Sequence, residues 1–199
     1  MKKRMVLFAL AAALLTAAAS AAPLSYTVVR GDTMWKIAAR YQVGTSEIIA
    51  ANPQVADPDL IYPGQRLTIP QVADATLDYE GEVVRLVNEI RARNGLPALT
   101  ANWELARVAR YKSEEMSAKG YFSHTSPTYG TPFQMMTAFG ISARSAGENI
   151  AYGQRTPAAV VNAWMNSSGH RANILSAAYT QIGVGYCASG NYWTQLFMG

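Results

Sequence analysis

The chain has 199 residues, with 17 lysines and arginines, 13 aspartates and glutamates and one cysteine, Cys187. A lone cysteine excludes an internal disulfide framework, so the fold must rest on core packing. Its nominal charge of +4 does not point to nucleic acid: three of the basic residues, Lys2, Lys3 and Arg4, belong to an N-terminal processing signal, and no basic stripe follows.

Residues 1–22 read as a secretory signal peptide. Lys2–Arg4 precede an apolar stretch from Met5 to Leu15, and small residues end at Ser20-Ala21-Ala22. That apolar stretch is short for a bilayer crossing. Cleavage after Ala22 would leave 14 basic residues against 13 acidic, about +1, and no transmembrane anchor. The mature chain is therefore expected to be secreted, extracellular or associated with a cell wall.

Residues 25–70 form a small unit in the order strand, helix, helix, strand. Tyr26-Thr-Val-Val alternates like a strand, and Gly31-Asp32-Thr33 opens a helix with Asp32 as its N-cap. Trp35 is expected in the core of so small a unit. Ile48, Ile49 and Ala51 mark a second helix ending at Asn52-Pro53, and Pro63-Gly64 turns into the strand Arg66–Pro70. The segments Tyr26-Thr-Val-Val-Arg-Gly-Asp-Thr-Met-Trp-Lys-Ile-Ala and Tyr62-Pro-Gly-Gln-Arg-Leu-Thr-Ile-Pro70 closely resemble the LysM domain. That resemblance implies binding of N-acetylglucosamine glycans such as peptidoglycan or chitin. The implied groove lies between Gly31, Asp32, Thr33 and Met34 on one side and Asp59, Leu60, Ile61 and Tyr62 on the other. One copy implies modest affinity.

Residues 71–78 read as a short polar bridge that permits relative motion of its flanks. Beyond it, residues 79–199 are long enough for a core of their own. Val83, Leu86, Val87 and Ile90 recur at helical spacing before Asn94-Gly95, and Leu105, Val108, Ala109 and Met116 mark a helix ended by Gly120. Thr131-Pro132 and Thr156-Pro157 open two more. Ile182, Val184 and Tyr186 alternate on a strand whose Gly183 and Gly185 leave one face flat, and Tyr192–Met198 returns beside it. The mixture predicts an α+β fold in layers. Tyr152, Trp164 and Trp193 are expected as core aromatics.

Phe122-Ser-His124, Gly147-Glu148-Asn149-Ile150, Gly169-His170-Arg-Ala-Asn-Ile-Leu, Ile182-Gly-Val-Gly-Tyr and Tyr192-Trp-Thr-Gln-Leu-Phe197 resemble the bacterial branch of the CAP (SCP-like) superfamily, which includes cysteine-rich secretory, antigen 5 and pathogenesis-related proteins. The resemblance implies an α-β-α sandwich with a cleft of two histidines and two glutamates. His124, Glu148 and His170 match cleft positions; the second glutamate is missing, with Ser167 near its place. Three readings of the cleft stay open. It holds a divalent metal such as Zn²⁺ or another ligand, lipid or protein; it moves protons as an acid–base group, with Ser123, Ser126, Ser167 or Ser168 as nucleophile candidates; or its members only satisfy one another. The sequence thus predicts a glycan-anchored binding protein, with a CAP-domain hydrolase acting on wall or polypeptide as the alternative.

Overall fold

In the computed structural model, residues 20–199 are described; the expected export signal lies outside them except for its last three residues, which begin the first strand. Strand β1 (Ser20–Thr27) pairs antiparallel with β2 (Arg66–Val72), and helices α1 (Met34–Tyr41) and α2 (Thr45–Ala51) lie between them in sequence. Ile37, Ile48, Leu67 and Ile69 are fully buried there. Asn52 locks the unit from within, its amide donating to the Ile48 and Thr68 carbonyls at 2.7 Å each.

The N-cap of α1 is Thr33, whose hydroxyl accepts from the Lys36 N–H at 3.2 Å. Asp32 is not the cap: its carboxylate accepts from the Tyr26 hydroxyl at 2.5 Å and the Val29 N–H at 3.0 Å, closing the loop onto β1. Trp35 also departs from expectation. It is 70% exposed, and Met34 with Ile37 fills the core in its place. Met34, Ile37 and Ala38 define the inward stripe of α1 at i, i+3 and i+4, and Trp35 falls outside it.

The expected bridge is regular structure. Strand β2 runs through Val72 and helix α3 begins at Asp74, leaving Ala73 as its N-cap. Helix α3 (Asp74–Arg93) is followed by β3 (Thr100–Ala101), α4 (Trp103–Lys119), α5 (Pro132–Ala138), β4 (Ala146–Tyr152), α6 (Pro157–Asn166), α7 (Ser168–Ile174), β5 (Gln181–Cys187) and β6 (Tyr192–Met198). The sheet order is β3-β5-β6-β4, antiparallel except for β3 beside β5. Helix ends follow the local chemistry: Gly120 stops α4 at φ 64°, and Thr131 with Gln134 forms a full capping box on α5.

Two helical layers enclose the sheet. On one face Val83 and Val87 of α3, Trp164 of α6 and Ile174 of α7 pack on Ile182, Val184, Trp193 and Phe197. On the other, Leu105, Val108 and Ala109 of α4 and Met135 and Met136 of α5 pack on Leu196. Register alternation makes the division: Ile182 opposes Phe197, and Gly183 opposes Leu196. Trp164 and Trp193 are core residues, at 1% and 0% exposure.

Among the described residues, an ion pair links the small unit to the sandwich. Arg107 on α4 donates to both carboxylate oxygens of Glu47 on α2, at 2.5 and 2.8 Å, and to the Ser46 hydroxyl at 3.1 Å. Its guanidinium also lies 4.9 Å from the Phe139 ring centroid and 5.7 Å from that of Tyr111. Gly44 makes room: a Cβ there would sit 2.2 Å from the Arg107 guanidinium.

Candidate functional site

Strand β4 is an edge of the four-stranded sheet, so elements from both helical layers can reach around it. Glu148 opposes Leu196 and faces the α4 layer; Asn149 opposes Gln195 and faces the α7 layer. The loop after α4 lays His124 against Glu148, with Nδ1 2.7 Å from Oε1. Glu148 has a side chain only 4% exposed, while that of His124 is 53% exposed. A half-open imidazole is thus held by a buried carboxylate.

Behind this pair sits a residue with no sequence signal. Lys112 of α4 is buried, and its Nζ donates to the His124 carbonyl at 3.1 Å and the Tyr121 hydroxyl at 3.2 Å. It also lies 4.9 Å from the centroid of the Tyr121 ring. Burial lowers the Lys112 pKa, opposed by the charges of Glu148 and Glu115. The loop is anchored further by Glu115, which accepts from the Ser126 and Tyr121 hydroxyls at 2.6 Å each. These bonds hold its carboxyl down at about 2 despite the cost of burial. A lysine at helical spacing reads in sequence as a solvated charge, and its burial here comes from tertiary packing alone.

His170 lies on α7, in the opposite layer. Its α7 backbone is tied to β4, the Asn149 amide donating to the His170 carbonyl at 3.1 Å and the Asn173 amide to the Glu148 carbonyl at 3.2 Å. The two imidazoles sense one another. Burial and the charge of His124 depress the His170 pKa, whereas the hydrogen bond to Glu148 raises that of His124 above the ordinary value.

Among the described residues no three of His, Cys, Asp and Glu are grouped as a metal ion would require. Glu148 takes the His124 Nδ1 and leaves Nε2 open, with the Lys112 ammonium bonded to the His124 carbonyl behind it. The residues as arranged do not fit a metal centre. The serines fare no better as nucleophiles. Ser126 is buried and committed to Glu115, Ser123 accepts from the Thr125 N–H, and Ser167 and Ser168 form the joint between α6 and α7. What the site can do is bind a polar group and exchange a proton through His124.

A pH titration followed by NMR should show the two histidines moving apart, His124 above and His170 below the unperturbed value of about 6.5. Glu148→Gln should bring His124 down. A raised folded-state pKa means that the contribution of the pair to stability is complete below about 6.5 and declines as pH rises through the folded value. Coincident titrations would show that the imidazole and carboxylate do not meet. Half-exposure of His124 keeps the stability effect small.

In the small unit, hydrogen bonds from Val28 N to Gln65 O and from Gly64 N to Val28 O, at 2.9 and 2.8 Å, bring the loop after β1 beside the turn before β2. Gly31, Thr33, Asp59, Leu60 and Tyr62 are exposed, and Asp32 and Ile61 are half-buried. Met34 turns inward at 5% exposure, so its side chain is not offered to a ligand. Leu60 and Tyr62 line a hollow of about 350 Å³ with Gln54, Val55 and Asp57. Apolar floor, amide and backbone groups together suit a neutral sugar with an acetamido group.

The α-β-α sandwich with a histidine–glutamate cleft at its sheet edge defines an SCP-like domain, preceded here by a βααβ glycan-binding type of module. Residues 84–197 match the family described as the cysteine-rich secretory protein family, and residues 26–70 match the LysM domain. The chain belongs to the cysteine-rich secretory protein (CAP) family and carries a LysM domain. It is 48% identical over 155 residues to YkwD of Bacillus subtilis (strain 168), covering 78% of this chain and 60% of that protein. The LysM part is 44% identical over 48 residues to the secreted LysM effector ECP6 of Passalora fulva, covering 24% of this chain and 21% of that one. An extracellular SCP-domain protein of Bacillus anthracis str. Ames superposes with a TM-score of 0.60 at 33% identity, over 68% of this chain and 47% of its own. The chain spans less than two thirds of the length of these relatives. No described helix is long and apolar enough to cross a membrane.

Proposed function

We propose that this is an exported, wall-associated protein in which LysM grips an N-acetylglucosamine glycan, peptidoglycan in the first instance, and presents the CAP cleft to a ligand. The observation that carries the proposal is the pairing of a complete LysM unit with the His124–Glu148 dyad in one chain. Leu60 and Tyr62, both more than half exposed beside a shallow hollow, are its sugar contacts. The dyad is a recognition element for a polar ligand group. It lacks a bonded nucleophile and a metal cage, which favours binding over hydrolysis.

Sedimentation with insoluble peptidoglycan tests the anchor. Wild-type protein should pellet with the wall and be released by soluble chitotetraose. The double variant Leu60→Ala, Tyr62→Ala should bind roughly tenfold more weakly, a loss of about 1.4 kcal/mol. Retention of full affinity by that variant would remove the assignment. Release of soluble wall fragments by wild type but not by His124→Ala would instead establish turnover at the dyad and favour the hydrolase reading.

A further inference from the structure

Three aromatic rings that the core does not use stand in a row beside the cleft. Phe122 is 53% exposed and Tyr152 is 55% exposed, although Tyr152 reads in sequence as a core residue. Their ring centroids are 6.3 Å apart, and Tyr152 is followed at 4.6 Å by Tyr192, its register partner across the β4–β6 pair. The rings come from three separate segments: the loop after α4, the end of β4 and the start of β6. Gly190, at φ 83°, allows the close fit, since a Cβ there would lie 2.7 Å from the Tyr192 ring. Tyr192 is half-buried, so Phe122 and Tyr152 carry the exposed part of the row.

Their placement relative to the dyad follows from register. Glu148, Ile150 and Tyr152 project to one face of β4, and four residues of strand place Tyr152 about 13 Å along from Glu148. His124 meets Glu148 and Phe122 meets Tyr152, so the Phe122–His124 segment runs beside the edge strand from its aromatic end to its acidic end. The result is one continuous surface, polar at the dyad and aromatic at the far end.

We propose that Phe122, Tyr152 and Tyr192 form a sugar-stacking surface continuous with the His124–Glu148 cleft, and that its occupant is the N-acetylglucosamine glycan strand held by LysM. This rests on the LysM reading above. The segments that carry the rings, Tyr121–Ser123, Ala151–Gln154 and Ser189–Tyr192, contain no acidic or basic residue. They offer ring faces beside hydroxyl and amide groups, a composition matched to the apolar faces and hydroxyl edges of neutral pyranoses. A strand retained by LysM on the same chain would meet this surface at raised effective concentration.

The test is an NMR titration of the full chain with chitotetraose and, separately, with muramidase-solubilised peptidoglycan fragments and with the free stem peptide. Either sugar ligand should perturb two groups of signals, one around Leu60 and Tyr62 and one around Phe122, Tyr152 and Tyr192. In Phe122→Ala, Tyr152→Ala the second group should fall silent while the first persists, and affinity for insoluble peptidoglycan should drop roughly threefold to tenfold. Unchanged signals from buried Trp193 would certify the fold, and Phe122→Leu with Tyr152→Leu provides a milder pair if the alanines disturb it. Saturation of the LysM signals with silence at the three rings would overturn the inference and leave the LysM reading standing. Silence at both would remove both. Movement of the rings by stem peptide alone would make the occupant a peptide and overturn the sugar assignment.

Discussion

Gly185→Val is expected to destabilise the protein by about 3 kcal/mol or more, the upper range for forcing volume into a packed interface. Gly183 and Gly185 face α4, and a Cβ on Gly185 would lie 2.1 Å from the Ala109 carbonyl carbon and the Arg110 nitrogen. Those are backbone atoms of a helix and cannot rotate aside. At Gly183 the corresponding approach is 2.3 Å, to Ala106 N and Leu105 C. Valine at position 185 must therefore lift α4 from the sheet. That would strain the Ser113 hydroxyl's bonds to the Gly185 carbonyl and to Thr194, at 3.0 and 2.9 Å, and displace Lys112 beneath His124. Thermal unfolding should fall by about 2–4 °C per kcal/mol for a chain of this size. Gly81→Ala supplies the opposite sign. Gly81 is an exposed position of α3 with nothing within 4 Å of an added Cβ, and alanine there should stabilise by about 0.5–1 kcal/mol. A Gly185→Val protein as stable as wild type would mean that α4 is not seated on β5 as described.

This close helix–sheet approach was legible in the sequence, because glycines at every second position of an alternating strand have few other uses. So were the helix ends at Gly120, Thr131 and Thr156, where capping chemistry is local. Strand β4 carried no such signal. Glu148 turns to the cleft and Asn149 to α7, both buried, so neither face shows the apolar period that announces a strand. The first turn of α3 looked like a polar bridge because none of residues 74–78 is buried. The first inward residue of the helix, just past that bridge, is Glu80, 5% exposed, bonded to Arg110 and the Tyr186 N–H. Burial raises its pKa to about 7, against the pull of Arg110. Trp35 and Tyr152 failed in the reverse direction, since size and apolarity favour the interior unless a surface has a use for them. His124 and Glu148 could be named from motifs, but their contact depends on a loop returning along an edge strand. The Glu47–Arg107 pair joins residues 60 apart through tertiary geometry alone.

Removing that pair should uncouple the LysM unit from the sandwich. Arg107→Ala leaves Glu47 partly buried with no cation, and a loss of about 2 kcal/mol is expected, below the cost of breaking a fully buried pair. Both side chains are shielded, at 17% and 21% exposure, and Arg107 also loses its stack on Phe139. A double-mutant cycle with Glu47→Ala should give a coupling energy of about 1–2 kcal/mol. Burial opposes the Glu47 charge, but the hydrogen bonds and charge of Arg107 prevail and hold its pKa below the ordinary carboxylate value. A depressed folded-state pKa sets the sign: the contact contributes fully above about 4.3 and is lost as pH falls through the folded value. Small-angle scattering should then show a broader distribution of dimensions for Arg107→Ala at neutral pH and for wild type in acid. Additive single mutants with unchanged scattering would show that the contact does not orient the units. With Ala73 the only residue between β2 and α3, the ion pair need oppose little chain entropy to fix the direction in which the cleft points. A LysM unit bound to a glycan strand would thereby hold the edge of β4 at a set angle to that strand.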